Sequence, residues 1–399
     1  MKSKRVIAVL VLVTALALAA CGATMQYVKA NIAAQQNKYD EAIAIYKELL
    51  AANPNDVQAL KGLGEVYLRM KKAPEAIAAL EKAHSLAPGD REIVLDLGLA
   101  YELGGDYGKA IDMLKSYASL NPTGEAAIRI NKHLTVLLYK EASARAVEGV
   151  KQEKALAAAS VDPNAIAVTY FGDKGITDTI RPLQKALAAM VITDLSNVPS
   201  IKVLERVKMQ KMIDELKLGK TGVVDAKTAV RGGRLLGAGK VVSGNMAGMK
   251  DDAMRLNSIL TNVSSGKDVG DQEAQGKVAE FFKLEKEIVF GIVDDMGIKL
   301  SGEQKAVVGK YATKSLEAIL CYGEALDAQD RGDWDLAIKK YKCSADADPA
   351  GPGAAALGSA PSGAEAAASI NDVGKDISGC EANEAKQIER ESKGGGGGC

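Results

Sequence analysis

The feature that most constrains this chain is a period. Pro54, Pro88 and Pro122 are spaced by 34 residues, and an alanine stands twelve positions before each: Ala42, Ala76 and Ala110. Gly64 and Gly98 fall in the helical stretch before those alanines, with Ala30 in the same place in the first copy. Tyr67 and Tyr101 follow the two glycines by three positions. Small residues at these points let two antiparallel helices approach closely. The proline ends the second helix, because it has no N–H for the ladder and restrains the residue before it. One helix pair cannot bury its apolar face alone, so neighbouring pairs must stack around a shared core. Residues 21–122 are therefore expected to form three helix pairs in a superhelix. Residues 123–162 read as a capping helix that continues as a linker, broken by Asp162-Pro163.

This pattern resembles the tetratricopeptide repeat. The resemblance implies a concave groove lined by Tyr27, Asn31, Lys61, Glu65, Arg69, Leu95, Leu99 and Glu102, suited to an extended or helical peptide of a protein partner. The same frame returns in 301–349. Gly332-Asp333-Trp334 sits at the turn, and Ala337, Tyr341 and Pro349 stand in register. Cys321 then lies on the first helix of this pair and Cys343 on the second, so a Cys321–Cys343 disulfide is one open pairing. Cys380 and Cys399 leave other connectivities open. Of residues 350–399, Ala350 to Ala366 are rich in Ala, Gly, Pro and Ser and read as a flexible linker, and the end is Gly394–Gly398 and Cys399. Residues 350–399 are expected to be a low-complexity, largely disordered tail, with a weak helix from Ala366 to Ser378.

Between the helical regions, 163–300 has the pattern of an α/β domain. Strand-like runs at Ala165–Phe171, Ile201–Leu204, Lys240–Met249 and Met254–Val263 alternate with helical runs at Leu183–Leu195, Val207–Leu218, Ala226–Leu236 and Phe281–Met296. The stretches Ile192–Ser196, Ile201–Arg206, Met212–Asp225 and Ala229–Met246 resemble the CsgG family, which includes the curli-export lipoprotein and LpoB-like and FlgO-like relatives. The fold class is thus multidomain: an α-helical superhelix, an α/β domain, and a C-terminal helical hairpin. The resemblance implies a domain that self-associates as a homo-oligomer or docks on envelope assembly or export machinery. A pore-forming relative needs long alternating strands. Here Lys240 to Lys277 offers one hairpin, with a polar, Gly-rich segment at 266–276.

The N-terminus adds a compartment. Residues 1–5 are basic, 6–17 apolar, and Leu18-Ala19-Ala20-Cys21 follows. This is the layout of a secretory leader, residues 1–20, and it resembles a bacterial lipobox in which the Cys21 thiol is acylated. Acyl chains on Cys21 would hold the protein on a membrane. Gly22 after the cysteine favours the outer membrane, with the chain facing the periplasm, by resemblance to sorted lipoproteins.

Candidate chemistry is sparse. Lys+Arg and Asp+Glu balance at 51 each, so no basic field invites nucleic acid. Gly219-Lys220-Thr221 looks like the end of a phosphate loop, but Asp214 stands where the pattern needs glycine. Gly232-Gly233 and Gly237-Ala238-Gly239 follow a helix rather than a strand, the reverse of a dinucleotide fingerprint. His84 and His133 have no partner at triad or metal-ligand spacing and read as surface histidines. Asp251-Asp252 reads as turn chemistry, and Asp294-Asp295 as the end of a helix. The sequence points away from an enzyme and calls for no metal and no cofactor. The expected role is an envelope scaffold. Alternatives are a subunit of an oligomeric secretion channel and an activator of a periplasmic cell-wall synthase.

Overall fold

The computed structural model describes residues 24–120, 124–153, 161–216 and 226–377. They form two compact units. The first ends at Leu137 and also takes in residues 368–377; the second is Leu138–Ala367. The Gly219-Lys220-Thr221 turn, Cys21, Cys380 and Cys399 lie outside the described residues.

In the first unit the period becomes helix pairs: 24–35 with Tyr39–Ala52, Val57–Arg69 with Ala73–Leu86, and Arg91–Leu103 with Tyr107–Leu120. The starts of helices Val57–Arg69 and Arg91–Leu103 are specified locally. The Asp56 and Asp90 side chains accept from backbone N–H groups of the first turn, satisfying donors that the helix itself leaves unpaired. The turns within pairs put Asn37, Lys71 and Gly105 at positive φ, again spaced by 34. Only glycine takes that conformation without steric cost. Ala30, Ala42, Ala76 and Ala110 are fully buried. A Cβ on Gly64 would stand 2.5 Å from Leu80 Cγ, and one on Gly98 2.8 Å from Leu114 Cδ2, so each glycine is the socket for a leucine of its partner helix. The first part of helix Glu125–Lys151 follows the array, with Ala126, Ile130, Leu134 and Leu137 buried.

The second unit is built on one sheet, in the order β3–β1–β4–β5–β6. The strands are β1 Asp162–Val168, β2 Gly172–Lys174, β3 Lys202–Val203, β4 Ala238–Gly248, β5 Ala253–Asn262 and β6 Asp268–Lys277. β1 pairs in parallel with β3 and β4, β2 pairs with β4, and β4–β5–β6 is an antiparallel meander. Alternation along β1 and β4 sends Ile166, Val168, Val242 and Met246 to one face. There they pack against helices Leu183–Ser196 and Phe281–Asp295. Ala167 and Val241 go to the other face, with helices Arg206–Glu215 and Ala226–Leu235 and with Ala146 of the long helix. The result is a three-layer α/β domain. Gly233 lets its helix lie on the sheet, since a Cβ there would come within 2.4 Å of Val241, and Gly237 ends the helix at positive φ. Asp251 and Asp252, both at positive φ, make the β4–β5 turn.

Two expectations need correction. The polar segment at 266–276 is a strand. β6 is an edge strand with its Asp, Glu, Gln and Lys side chains mostly in solvent, so it lacks the hydrophobic signal of a central strand. Charged residues on such an edge also discourage pairing with other chains. Helices also follow Pro349 within the described residues. Helices Pro352–Ser359 and Gly363–Ala367 pack back on helix Trp334–Ala347. Ala360 is buried, and a Cβ on Gly353 would lie 2.2 Å from Ser344 Oγ. Here Ala and Gly serve close packing rather than freedom. A last helix covers 370–377.

The repeat-like pair near the C-terminus is Leu316–Asp330 with Trp334–Ala347. Cys321 and Cys343 are joined in a disulfide, with Cα atoms 5.9 Å apart. Gly323 sits against the backbone of Pro182, where a Cβ would be 2.0 Å from the carbonyl oxygen. This glycine therefore seats the hairpin on the α/β domain.

Candidate functional site

The repeat helices turn their first-helix residues toward a groove. One cavity of ≈ 460 Å³ is lined by Tyr27, Asn31, Lys61, Glu65 and Arg69, with Glu92. A second, ≈ 610 Å³, has Glu65, Arg69, Leu95 and Leu99 on its wall, with Glu92 and Asp96. Lys61 is ion-paired with Glu92, and Tyr27 donates to Asp56. Burial, and then the hydrogen bond to Asp56, push the Tyr27 phenol up to about 12. The Asn31 side-chain oxygen accepts from Tyr46. Burial raises the carboxyls of Glu65 and Asp96, against the opposing pull of Lys61 and Arg69. The floor is thus apolar at Leu95 and Leu99, beside a cluster of carboxylates held in a desolvated place.

Seven of the eight residues expected on this surface line the two cavities. Glu102 does not. It is buried, with Oε2 2.6 Å from Nε2 of buried His133. His133, expected to be a solvated or semi-buried surface histidine, is instead buried, and the same contact gives it a carboxylate partner. The two residues are 31 positions apart, so spacing within one helix gave no hint of the pair. His84 is half-buried. Sequence reasoning missed Glu92 and Asp96. Both lie one helical turn or less from Leu95 on the same helix, which was the available signal.

The second unit holds a different polar centre. Asp330, at the end of its helix, has a side chain only 4% exposed. Arg206 grips it through both guanidinium nitrogens at 2.8 Å, Lys185 Nζ lies 2.7 Å away, and Tyr139 Oη donates at 3.1 Å. Lys211 Nζ donates to the Asp330 carbonyl at 3.0 Å, and Trp334 meets Tyr139 edge-on at 5.2 Å. Burial alone would raise the Asp330 carboxyl. Arg206 and then Lys185 outweigh it and hold the group below the ordinary carboxylate range. Bidentate pairing of this kind is the strong form of a charged hydrogen bond. The cluster ties the long helix, the α/β domain and the C-terminal hairpin at one point. It borders an open cleft of ≈ 870 Å³ whose wall carries Asp173, Arg181, Lys185, Asp214, Asp327 and Lys340. A further buried pair, Lys286 with Asp194, lies beside Glu285, whose carboxyl is raised by burial and by Asp194.

Among the described residues no group of His, Cys, Asp and Glu is placed to hold a metal ion, and no helix is long and apolar enough to cross a membrane. The latter says nothing of β-barrels.

Comparison with known proteins matches these regions separately. Two tetratricopeptide-repeat family models match residues 27–91 and 70–129, and the model of the curli production assembly/transport component CsgG matches 148–278. The Beta-barrel assembly-enhancing protease of Escherichia coli (strain K12) is 36% identical over 96 residues, 24% of this chain and 20% of that protein. The BBSome complex member BBS4 of Mus musculus is 30% identical over 118 residues, 29% of this chain and 23% of that protein. The chain therefore spans about a fifth of the length of these curated relatives. Among solved structures, MamA shares 28% identity over 27% of this chain and 61% of that chain, with a TM-score of 0.25. The LpoB C-terminal domain from Salmonella enterica shares 14% identity over 30% of this chain and 86% of that chain, also at 0.25. On the family models and its own architecture, the chain carries tetratricopeptide repeats followed by a CsgG-like domain.

Proposed function

We propose that this protein is an outer-membrane lipoprotein, anchored through Cys21 and facing the periplasm, that scaffolds the assembly or export of a surface structure. The observation that carries the reading is the union in one chain of a repeat groove and a CsgG-like domain. Tetratricopeptide repeats present grooves to protein partners, and the CsgG family belongs to envelope assembly and transport. The groove takes a peptide or helix of an envelope protein through Lys61, Glu65, Arg69, Leu95 and Leu99. The CsgG-like domain self-associates or docks on the machinery. The β4–β5 hairpin supports a scaffold over a channel, because its apolar residues Met246, Met254, Leu256 and Leu260 pack into the core of their own domain. An apolar face used that way is not available to lipid.

The test is the native mass of the acylated chain in mild detergent, beside a Cys21→Ala form, together with labelled-palmitate incorporation. The expected result is palmitate uptake that Cys21→Ala abolishes, and a monomer or small oligomer in both forms. A closed ring of many subunits that conducts ions, found only in the acylated form, would replace the scaffold with a channel. Absence of label from the wild-type chain would remove the anchor.

A further inference from the structure

The helix at 370–377 belongs to the same compact unit as the repeats. Its sequence, Ile370-Asn371-Asp372-Val373-Gly374-Lys375-Asp376-Ile377, is amphipathic. Val373 and Ile377 are buried, Ile377 to 1% exposure, and Ile370 and Gly374 are partly buried. These positions are i, i+3, i+4 and i+7, one stripe of a helix. Ser369 starts the helix by accepting from the Asp372 N–H and donating to the Asp372 side chain.

Two residues of the stripe, Ile370 and Gly374, border the repeat groove. Ile370, Asn371, Gly374 and Lys375 line the same cavity as Glu65, Asp96 and Leu99. A Cβ on Gly374 would sit 3.0 Å from Leu99 Cδ1, so the small residue sets how deeply the helix can lie. Asp376 is ion-paired with Arg129 at one side of the helix. On the other side Lys375 shares the cavity wall with Glu65, Glu92 and Asp96. An amphipathic helix bordering a groove with Gly374 against Leu99, a cation on the wall that carries carboxylates, and a carboxylate paired with a guanidinium fits the helix-in-groove mode of recognition.

We infer that the repeat groove is a receptor for a short amphipathic helix and that the chain's own 370–377 segment is its resident, displaceable ligand. This rests on the reading of the groove as a partner site and specifies that partner. The partner presents a helix with apolar residues at i, i+3 and i+7, a small residue at i+4, and a basic residue two positions before the last apolar one. A tethered ligand competes at an effective concentration in about the millimolar range, so the groove is closed to weak helices and open to strong ones.

The experiment uses the full chain and a fluorescent peptide with the sequence Ala367 to Ser378, followed by anisotropy. In the Val373→Asp/Ile377→Asp chain the resident helix carries charge into an apolar site and leaves it. The peptide is expected to bind this variant at least about tenfold more tightly than it binds wild type, because the tethered competitor is gone. Gly374→Leu, which keeps both apolar anchors but cannot lie close to Leu99, is expected to give the same gain. A peptide carrying the two aspartates is expected not to bind. Equal binding to wild type and both variants, or binding to none, overturns the inference. A wild-type dimer that dissociates in the variants places the helix in a second copy and overturns the intramolecular assignment. The partner reading fails separately: there the peptide binds the variants as expected, but an envelope partner still associates when Arg69→Glu and Leu99→Asp abolish peptide binding.

Discussion

The chain uses one repeat frame in two places and supports it by two different means. In the first unit the pairs Ala30 with Tyr46, Gly64 with Leu80 and Gly98 with Leu114 hold the same offset, a small residue on the first helix facing a large one on the second. The C-terminal hairpin repeats it with Ala325 and Tyr341, and its Gly332 turn matches Gly105. The N-terminal copies have neighbours to stack on, so side-chain packing suffices. The lone copy has no such neighbours. It is held by the Cys321–Cys343 disulfide, by Ser344 donating to the Ala318 carbonyl at 2.7 Å, and by the Asp330 cluster. A repeat removed from its array thus adds a disulfide and a buried ionic cluster to the close packing, at Gly323 and Gly353, that replaces its missing neighbours.

That contrast can be broken most sharply at Asp330. Asp330→Ala leaves Arg206 buried without its anion and Lys185 with Asp327 alone, and removing one partner of a buried pair costs about 3–5 kcal/mol. Urea unfolding at neutral pH is expected to show the loss. The wild-type contribution also has a pH signature. The folded-state pKa of Asp330 is lowered, so its contribution is complete above the unfolded value of about 3.9 and disappears as pH falls below it. The gap between wild type and Asp330→Ala should therefore close in acid. A gap that stays constant would mean the carboxylate charge is not what holds the hairpin.

Next in size is the disulfide. Replacing Cys321 and Cys343 together by serine reopens a loop of 22 residues, worth about 2–4 kcal/mol. Loss of hydrogen-exchange protection is expected in helices Leu316–Asp330 and Trp334–Ala347. Protection equal to wild type would assign the hairpin's stability to the ionic cluster alone.

The smallest effect belongs to the array. Gly64→Ala drives a methyl into Leu80, an overpacking cost of about 1–3 kcal/mol that the better helix propensity of alanine partly offsets by about 1 kcal/mol. Gly108→Ala meets only Asp106 Oδ1 at 3.8 Å and is the control for propensity without crowding. Thermal melts should separate the two. If Gly64→Ala is no worse than Gly108→Ala, the socket has room to relax and the shape argument weakens.

Much of the architecture was readable in one dimension because it repeats in one dimension. The alanines, glycines and prolines spaced by 34 name the helix pairs, since each is set by neighbours a few residues away; the positive-φ turns at Asn37, Lys71 and Gly105 keep the same period but only the structure showed them. Seven groove residues followed from the same register. The parallel strands β1 and β4 were legible through their apolar runs. β6 was not, because the residues on its packed face, under helix Phe281–Asp295, are Gly270, Gln272, Ala274 and Gly276 rather than large apolar ones, and so give no hydrophobic pattern to read.

What the sequence determined by itself, then, is everything carried by local registers: the helix pairs, the small-to-large contacts inside them, and the α/β alternation between them. Only the tertiary structure decided which distant charges meet. Arg206 and Asp330 are 124 residues apart, Glu102 and His133 are 31, and Arg129 and Asp376 are 247. A charged side chain has no period of its own. Its partner is chosen by which backbones pack closely enough to exclude water between them, and the folded chain alone fixes that.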